Sequence, residues 1–221
     1  MARLWALAMM GLARPALRRI PGIGFWKLCG SGTGEGFTPV PNTGVYAILA
    51  TWPDLETARQ AVNSASVFRS YRQKSCESWT LFLSPTSVRG AWSGQAPFQP
   101  ENKPMKGSIA ALTRATVRPA RALQFWKRVP DISQVVGDDP NVRFKIGIGE
   151  VPLLHQITFS IWPDNNAMST FARKDGPHAR AIRAVREGSW FSEELYARFG
   201  ILETDGYWQD AKPITLAGSL Q

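Results

Sequence analysis

An internal duplication is the feature that most restricts how this chain can fold. TWPD at residues 51–54 recurs as IWPD at residues 161–164, and each copy ends an apolar run and opens a segment compatible with a helix. The aspartates that end the two copies, Asp54 and Asp164, are expected to cap the helices that follow them. Self-similarity of this kind predicts two copies of one supersecondary unit.

Other landmarks keep the same order in both copies. Upstream, PGIGFWKLCG at residues 21–30 matches PNVRFKIGIG at residues 140–149, with the proline, the phenylalanine and the last glycine in register. Downstream, CESWTLF at residues 76–82 corresponds to SEELYARF at residues 192–199. A segment with helical character precedes each copy. Each repeat therefore reads helix, strand, strand, helix, strand.

The second repeat also has a strand in front, SIAALTRATV at residues 108–117. This strand completes the order βαββαβ, which defines the ferredoxin-like unit. The first repeat lacks it because the sequence starts inside the first helix, and we expect the natural chain or its parent to begin upstream of Met1. Since the first strand is normally central, its absence should leave a gap between neighbours. The predicted fold class is α+β, with tandem ferredoxin-like repeats forming a barrel from one chain.

The duplication also sets the predicted boundaries. The first, truncated repeat covers residues 1–92, and a polar, proline-rich linker covers residues 93–107. The second repeat covers residues 108–202, and a C-terminal tail covers residues 203–221.

Composition and charge narrow the classes of partner. Of 221 residues, 44% are hydrophobic and 19% are charged, which is typical of a globular protein rather than a disordered or membrane-spanning one. The formal net charge of +9 predicts an anionic partner, which is a nucleic acid, an acidic membrane surface, or a carboxylate or phosphate ligand. No apolar run approaches the roughly 20 residues of a spanning helix.

The cysteines and the N-terminus bear on the compartment. Cys29 and Cys76 form no metal-binding or haem-attachment motif, so a reducing, cytoplasmic setting is expected. The first residues resemble a short secretory signal, but Arg14, Arg18 and Arg19 follow at helical spacing and favour a helix of the fold.

His178 is one of only two histidines. On a helical projection of HARAIRAVREG, Ile182 and Val185 lie within about 60° of it, and Arg180 and Arg183 lie on the opposite side. A buried imidazole needs a hydrogen-bond or metal partner, and both a haem iron and an ordinary carbonyl or carboxylate satisfy that need.

Other candidate residues carry weaker signals. His155 lies in a predicted strand, where alternation places it beside Leu153 and Ile157 in a structural or lining role. Arg114 shares a side of its strand with Leu112 and Thr116, which allows two interpretations. It would point into the barrel and pair with a haem propionate or steady bound oxygen, or it would lie at the surface as an arginine at the end of a strand.

Several motifs favour ordinary structural roles. Cys29 is expected to be a buried, inert thiol. GSGTGEG at residues 30–36 lacks the lysine and the following helix of a phosphate loop, and a hairpin connection is predicted instead. Acidic residues are scattered, and no catalytic triad or pair of carboxylates emerges from their positions.

Four long segments carry a family resemblance. They are PGIGFWKLCGSGTGEGFTPVPNTGVYAILATWPD, ALTRATVRPARALQFWKRVP, RFKIGIGE and HARAIRAVREGSWFSEELYARFGI. Through them the chain resembles the spheroidene monooxygenases, which are acyclic carotenoid 2-ketolases, over about residues 3–202. The resemblance implies an oxidoreductase of carotenoid biosynthesis that introduces a keto group at C2 of an acyclic carotenoid.

The resemblance also implies a cofactor and its ligand. The family is described as containing haem, and its architecture is similar to that of the dimeric α+β barrel haem proteins, whose axial histidine lies on a helix of the C-terminal half. His178 fits that role and would bind the iron of haem b, in the second repeat. Dioxygen would be the co-substrate, with electrons from a ferredoxin-type donor.

A long apolar substrate suits an aromatic pocket. Phe159, Trp162, Phe125 and Trp126 are the candidate pocket residues, and Arg114 is the candidate for the distal side or a propionate. The positive charge would hold the protein peripherally at the cytoplasmic face of an anionic membrane or dock an acidic ferredoxin.

Three alternatives stay open at the level of sequence. One is another haem α+β barrel enzyme, of peroxidase, dehydratase or dismutase type. A second is a carrier of haem or carotenoid without catalysis. The third is a ferredoxin-like nucleic-acid binder, but neither repeat shows the aromatic RNP1 pattern, so no nucleic acid partner is expected.

Overall fold

The computed structural model of the chain describes residues 2–101, 105–127, 139–173, 188–209 and 211–217. Within these residues the chain forms helices and strands in the order that the duplication predicts. In chain order they are α1 (Ala2–Arg18), β1 (Trp26–Gly32), β2 (Pro41–Ala50), α2 (Leu55–Ser64), α3 (Ser66–Lys74), β3 (Ser78–Gly90), β4 (Ile109–Val117), a 3₁₀ turn (Pro119–Arg121), α4 (Ala122–Trp126), β5 (Phe144–Gly149), β6 (His155–Trp162), α5 (Asn165–Arg173) and β7 (Phe191–Tyr207).

The strands form one antiparallel sheet in the order β2-β1-β5-β6-β4-β7-β3. The run β5-β6-β4-β7 belongs to the second repeat, and its first strand, β4, lies centrally between β6 and β7, as in the ferredoxin-like unit. The first repeat supplies β1, β2 and β3, of which β2 and β3 are the two edges of the sheet. The position that β4 takes in the second repeat corresponds to the space between β2 and β3. The predicted fold class and the expected gap are confirmed.

Equivalent residues of the two repeats occupy equivalent positions. Gly30 and Gly149, the last glycines of the two matched segments, are paired with each other where β1 meets β5. Asp54 accepts a hydrogen bond of 2.7 Å from the backbone N–H of Thr57, and Asp164 accepts one of 2.8 Å from that of Ala167. Both predicted helix caps are therefore confirmed.

The curled sheet encloses the largest core on one face. Alternation along the strands sends every second side chain inward, and the buried residues of this core are Cys29, Trp92, Phe98, Ala110, Leu112, Ile157, Ile161, Leu195, Ala197, Phe199 and Ile201. Side chains from both edge strands pack against it, including Leu49 of β2 and Leu81 of β3. The interior is therefore shared by both repeats.

Helices cover the outer face. Ala13 and Leu17 of α1 pack with Leu28 of β1 in a second core, and Met168 of α5 packs with Trp162 of β6 in a third. Among the described residues, no helix is both long and apolar enough to cross a bilayer.

The glycine-rich segment joins β1 to β2, as predicted for a hairpin connection. It folds back onto β5, where Gly36 has φ +89° and a Cβ on it would lie inside the backbone of Gly147. The backbone N–H of Gly147 donates a hydrogen bond of 2.7 Å to the carbonyl of Glu35. This close approach of two backbones explains the need for glycine in the loop.

Two predicted boundaries need correction. Strand β7 runs to Tyr207, beyond the boundary at residue 202, because residues 203–207 pair with the start of β3. Further along the predicted tail, Leu216 packs against the main core. In the predicted linker, Phe98 is buried and its ring lies 5.1 Å from that of Phe199. Among the described residues, Phe98 of the predicted linker and Leu216 of the predicted tail thus pack against the barrel interior.

Candidate functional site

Charged side chains meet at one end of the barrel interior. We name this set the charged cluster: Lys27, Trp92, Arg114, Glu150, His155 and Glu193. Neighbouring strands run antiparallel, so the ends of β4 and β5 lie beside the starts of β6 and β7. Arg114 lies near the end of β4 and Glu150 directly follows β5, whereas His155 and Glu193 lie at the starts of β6 and β7.

Arg114 is the centre of the cluster. It projects inward from β4, opposite Ile157 of β6 and Leu195 of β7, and its side chain is only 1% exposed. The guanidinium forms a salt bridge with Glu193, and its Nη2 lies 3.9 Å from Oε1 of Glu150. Of the two orientations that the sequence allows, the structure has the inward one. A guanidinium buried this deeply requires anionic partners, and it has two.

Glu150 joins both repeats. Its Oε1 accepts a hydrogen bond of 2.6 Å from the indole N–H of Trp92, which is fully buried. Its Oε2 lies 2.7 Å from Nζ of Lys27 on β1. Lys27 also donates to Oγ of Ser93 at 2.8 Å. The carboxylate of the second repeat is therefore held by a tryptophan and a lysine from the first.

Glu193 is held as an anion by several donors. The backbone N–H groups of Ser93 and Gly94 donate to its carboxylate at 2.9 and 2.7 Å. Burial alone would raise the pKa of Glu193, but these two hydrogen bonds and the Arg114 guanidinium outweigh it and hold the pKa below its usual value. The carboxylate is ionised at neutral pH.

His155 faces the carboxylate of Glu150 without forming a hydrogen bond to it. Its Nδ1 lies 3.8 Å from Oε1 of Glu150, which is too long for a hydrogen bond. Burial lowers the pKa of His155 below the usual 6.5, although the nearby Glu150 acts in the opposite direction. The imidazole is therefore neutral at neutral pH.

Two polar atoms of the cluster lack a partner among the described residues. They are Nδ1 of His155 and Nε of Arg114, and both are buried. A buried polar atom without a hydrogen bond costs about 1–3 kcal/mol, so such atoms indicate a site that a small polar ligand completes. The arrangement offers a fixed N–H donor and a neutral imidazole beside an apolar interior, which is suited to binding a polarised oxygen atom.

Cys29 lies in the same interior and is almost fully buried, as predicted. Burial raises the pKa of its thiol far above the ordinary value, and the negative charge of Glu150 adds to the effect. The thiol is therefore uncharged, and a thiolate ligand at this position is disfavoured.

The structure separates the four candidate pocket residues. Phe159 packs against the inner core, whereas Trp162 lies on the opposite face of β6, under α5. Phe125 and Trp126 lie on α4, with their rings 5.5 Å apart, and the indole N–H of Trp126 donates to the carbonyl of Leu153. These four residues do not form one pocket, and their contact with a substrate stays a prediction.

The two histidines have different outcomes. His178 and its helix lie outside the described residues, so its role stays a prediction. His155 was assigned the same side of a strand as Leu153, but β6 begins at His155 and Leu153 lies before it with φ +67°. His155 is instead part of the charged cluster.

Sequence reasoning missed most of the charged cluster. It gave no reason to connect Glu150 with Glu193, which both lie beside Arg114. The available signal was topological: in the ferredoxin-like unit the end of one strand and the start of its antiparallel neighbour meet at one edge. Lys27 and Trp92 come from the other repeat and carried no such signal.

Curated proteins are similar to this chain over nearly its whole length. The spheroidene monooxygenase of Rhodobacter capsulatus is 50% identical over 213 residues, which cover 95% of this chain and 88% of that protein. That of Cereibacter sphaeroides is 50% identical over 215 residues, covering 96% of this chain and 66% of that protein. The chain belongs to the spheroidene monooxygenase family. Members of this family are oxidoreductases, and the chain is an enzyme of the monooxygenase type.

A third relative, the spheroidene monooxygenase of Rubrivivax gelatinosus, is 34% identical over 209 residues, covering 80% of that protein. No protein-family model matches the sequence. Among solved structures, a proposed monooxygenase from Fusobacterium nucleatum has a TM-score of 0.45 at 7% identity and covers 96% of this chain and 90% of its own. SnoaB, a cofactor-independent oxygenase from Streptomyces nogalater, has a TM-score of 0.31 at 18% identity and covers 46% of this chain and 91% of its own.

Proposed function

We propose that this enzyme introduces a keto group at C2 of an acyclic carotenoid such as spheroidene. The observation that carries the proposal is the 50% identity to two spheroidene monooxygenases along almost the entire chain. Two successive hydroxylations at one carbon account for the product. Each consumes one dioxygen, two electrons and two protons and releases one water, and the resulting geminal diol loses water to give the ketone.

The proposed cofactor is haem b, with His178 as the axial ligand of the iron. When bound, haem would supply the oxygen chemistry, and a ferredoxin-type donor would supply the electrons. The described residues favour one of the two roles expected for Arg114. Its guanidinium is already neutralised by Glu150 and Glu193, so a propionate would add a third carboxylate, whereas its free Nε–H suits hydrogen bonding to oxygen.

The chain itself would contribute position and environment. Glu150 and Glu193 fix the guanidinium of Arg114 from two sides, and burial keeps His155 neutral. A preorganised donor of this kind stabilises charge that develops on oxygen during the reaction. Beyond the cluster the interior is apolar, and Phe159 is the candidate pocket residue that packs against it. Apolar side chains beside a few polar groups are suited to contact with the reacting end of a polyene.

The remaining partners follow from the charge. A net charge of +9 supports docking of an acidic ferredoxin and peripheral contact with the cytoplasmic face of an anionic membrane, where a carotenoid would dissolve.

The test combines a spectrum with product analysis. Wild type, His178→Ala and the matched control His155→Ala are expressed with haem supply in a host that accumulates spheroidene. We expect a Soret band and 2-keto product for wild type, loss or displacement of the Soret band for His178→Ala, and a retained band for His155→Ala. A wild type that forms the ketone without haem would refute the cofactor, and one that binds haem and forms no ketone would refute the reaction.

A further inference from the structure

Large apolar side chains are exposed on the outward half of α1, where a surface helix is normally polar. Leu4, Leu7 and Leu12 are 74%, 54% and 71% exposed, and they are among the most exposed large apolar side chains of the described residues. At about 100° per residue, Leu7 and Leu12 lie roughly 60° and 80° to either side of Leu4, so all three are on the half of the helix that faces away from the sheet. The opposite half, with Ala13 and Leu17, is buried against the sheet. The described residues of the protein leave the three leucines of the outward half uncovered.

Exposed arginines share the outward half of α1 with the leucines, and no residue of the helix is acidic. Arg3, Arg14, Arg18 and Arg19 are all exposed, and the first acidic residue of the chain is Glu35. Arg14 folds back along the helix, donating to the carbonyl of Met10 at 3.1 Å. None of the salt bridges among the described residues involves these four arginines.

The arginines border a groove. A shallow depression of about 450 Å³ is lined by Gly11, Arg14, Pro15, Arg18 and Arg19. Gly11 has no side chain, and a Cβ placed there would meet nothing within 4 Å. The depression is therefore open to a phosphate group that approaches between two guanidinium groups.

We propose that α1 is the membrane-binding element and lies in the interface of a bilayer that contains anionic lipids, with Leu4, Leu7 and Leu12 among the acyl chains and Arg14 and Arg18 on lipid phosphates. Exposed leucines interspersed with arginines, without an acidic residue, suit a helix that lies in the interface of an anionic bilayer. A protein partner of acidic character would complement the arginines but would leave the three leucines unexplained, whereas an anionic bilayer complements both. This inference locates the membrane contact proposed above and does not depend on the oxygen chemistry.

The test is sedimentation of the purified protein with vesicles of phosphatidylcholine alone or mixed with phosphatidylglycerol. Wild type is expected to bind the mixed vesicles and to be released by salt. Leu7→Ser with Leu12→Ser should lower the partition coefficient at least about tenfold. Arg14→Gln with Arg18→Gln should lower it about fivefold for each charge removed, on the mixed vesicles only.

A matched control keeps the result specific. Leu123, on α4 of the other repeat, is 83% exposed, and Leu123→Ser should leave binding unchanged. All substituted side chains are exposed, so the thermal midpoint of each variant should equal that of wild type, which separates lost binding from lost folding.

Equal binding of wild type and the double leucine variant would overturn the inference, as would binding that ignores phosphatidylglycerol. The inference would also be overturned if wild type formed a dimer, the double leucine variant were monomeric, and neither protein bound vesicles. That result would assign the exposed leucines to contact with a second copy of the chain. Ketone formation measured with detergent-dispersed substrate is independent of these outcomes, so a failure of the membrane inference is distinguishable from a failure of the proposed reaction.

Discussion

The two ends of the barrel interior are built by the same strands but differ in the polarity of the side chains that those strands supply. At one end Ala110, Ile161, Phe199 and Ile201 pack together and are almost fully buried. At the other end the same strands supply Arg114 and other members of the charged cluster. Apolar packing stabilises the fold without requiring specific polar partners. Buried charges need several partners, and they rarely make a protein more stable than apolar residues of similar volume would. Under the proposed function, the apolar end maintains the barrel and the charged end serves the chemistry.

The largest expected effect on stability is at the charged end. Arg114→Met would leave Glu193 without its guanidinium and Glu150 with Lys27 as its one remaining cationic partner among the described residues, and breaking a buried ion pair costs about 3–5 kcal/mol. We expect the lower end of this range, because both carboxylates retain some contact with water. Urea denaturation measures it, and Arg114→Lys is the control that keeps the charge. A loss below about 1 kcal/mol would show that the cluster is not a coupled unit.

A smaller effect is expected at the apolar end. Ile201→Val removes one buried methyl group, and such changes cost about 0.5–1.5 kcal/mol. Because Ile201 lies far along β7 from Glu193, the rate of ketone formation per folded molecule should match that of wild type. A large fall in that rate, with the fold intact, would show that the apolar end also takes part in the reaction.

The smallest effect at neutral pH concerns His155. Its pKa in the folded protein is below the usual 6.5, so just below that pH the unfolded chain binds a proton that the folded protein does not. The free energy of unfolding should therefore fall as the pH is lowered through this window. Denaturation midpoints measured from about pH 7 to pH 5 should fall less steeply for His155→Gln than for wild type. Identical dependence on pH for the two proteins would show that the imidazole of His155 is solvated by bulk water and that folding does not lower its pKa.

Glu193 sets a second window at more acidic pH. Its folded pKa lies below its ordinary 4.5, so its contribution to stability is present above that pH and is lost as the pH falls further. The two windows are separate, and only the upper one should respond to His155→Gln.

The sequence predicted the architecture better than the site. Repeated landmarks predicted the order of helices and strands in each repeat, the caps at Asp54 and Asp164 and the gap left by the missing first strand, because these features follow from the pattern of one repeated unit. Alternation allowed the inward orientation of Arg114 as one of two interpretations. Applied to β6, the same rule separates Phe159 from Trp162, which are three residues apart and therefore point to opposite faces.

Rules based on local sequence could not predict the charged cluster. Lys27 and Glu150 are far apart in the chain, and they form an ion pair only because β1 lies beside β5 in the sheet. Nothing near Trp92 indicates that its indole will donate to a carboxylate of the other repeat. Long-range contacts of this kind depend on the closed sheet, so they could be found only once the fold was known.

The most direct test of the account is the initial rate of 2-keto carotenoid formation by wild type, Arg114→Lys and Ile201→Val at equal amounts of folded protein. Lysine keeps the positive charge but cannot reproduce the Nε–H of arginine, and loss of one preorganised donor lowers the rate by about 100-fold or more. The account predicts that fall for Arg114→Lys and a wild-type rate for Ile201→Val. A wild-type rate for Arg114→Lys would contradict the assignment of the charged cluster as the site of oxygen chemistry.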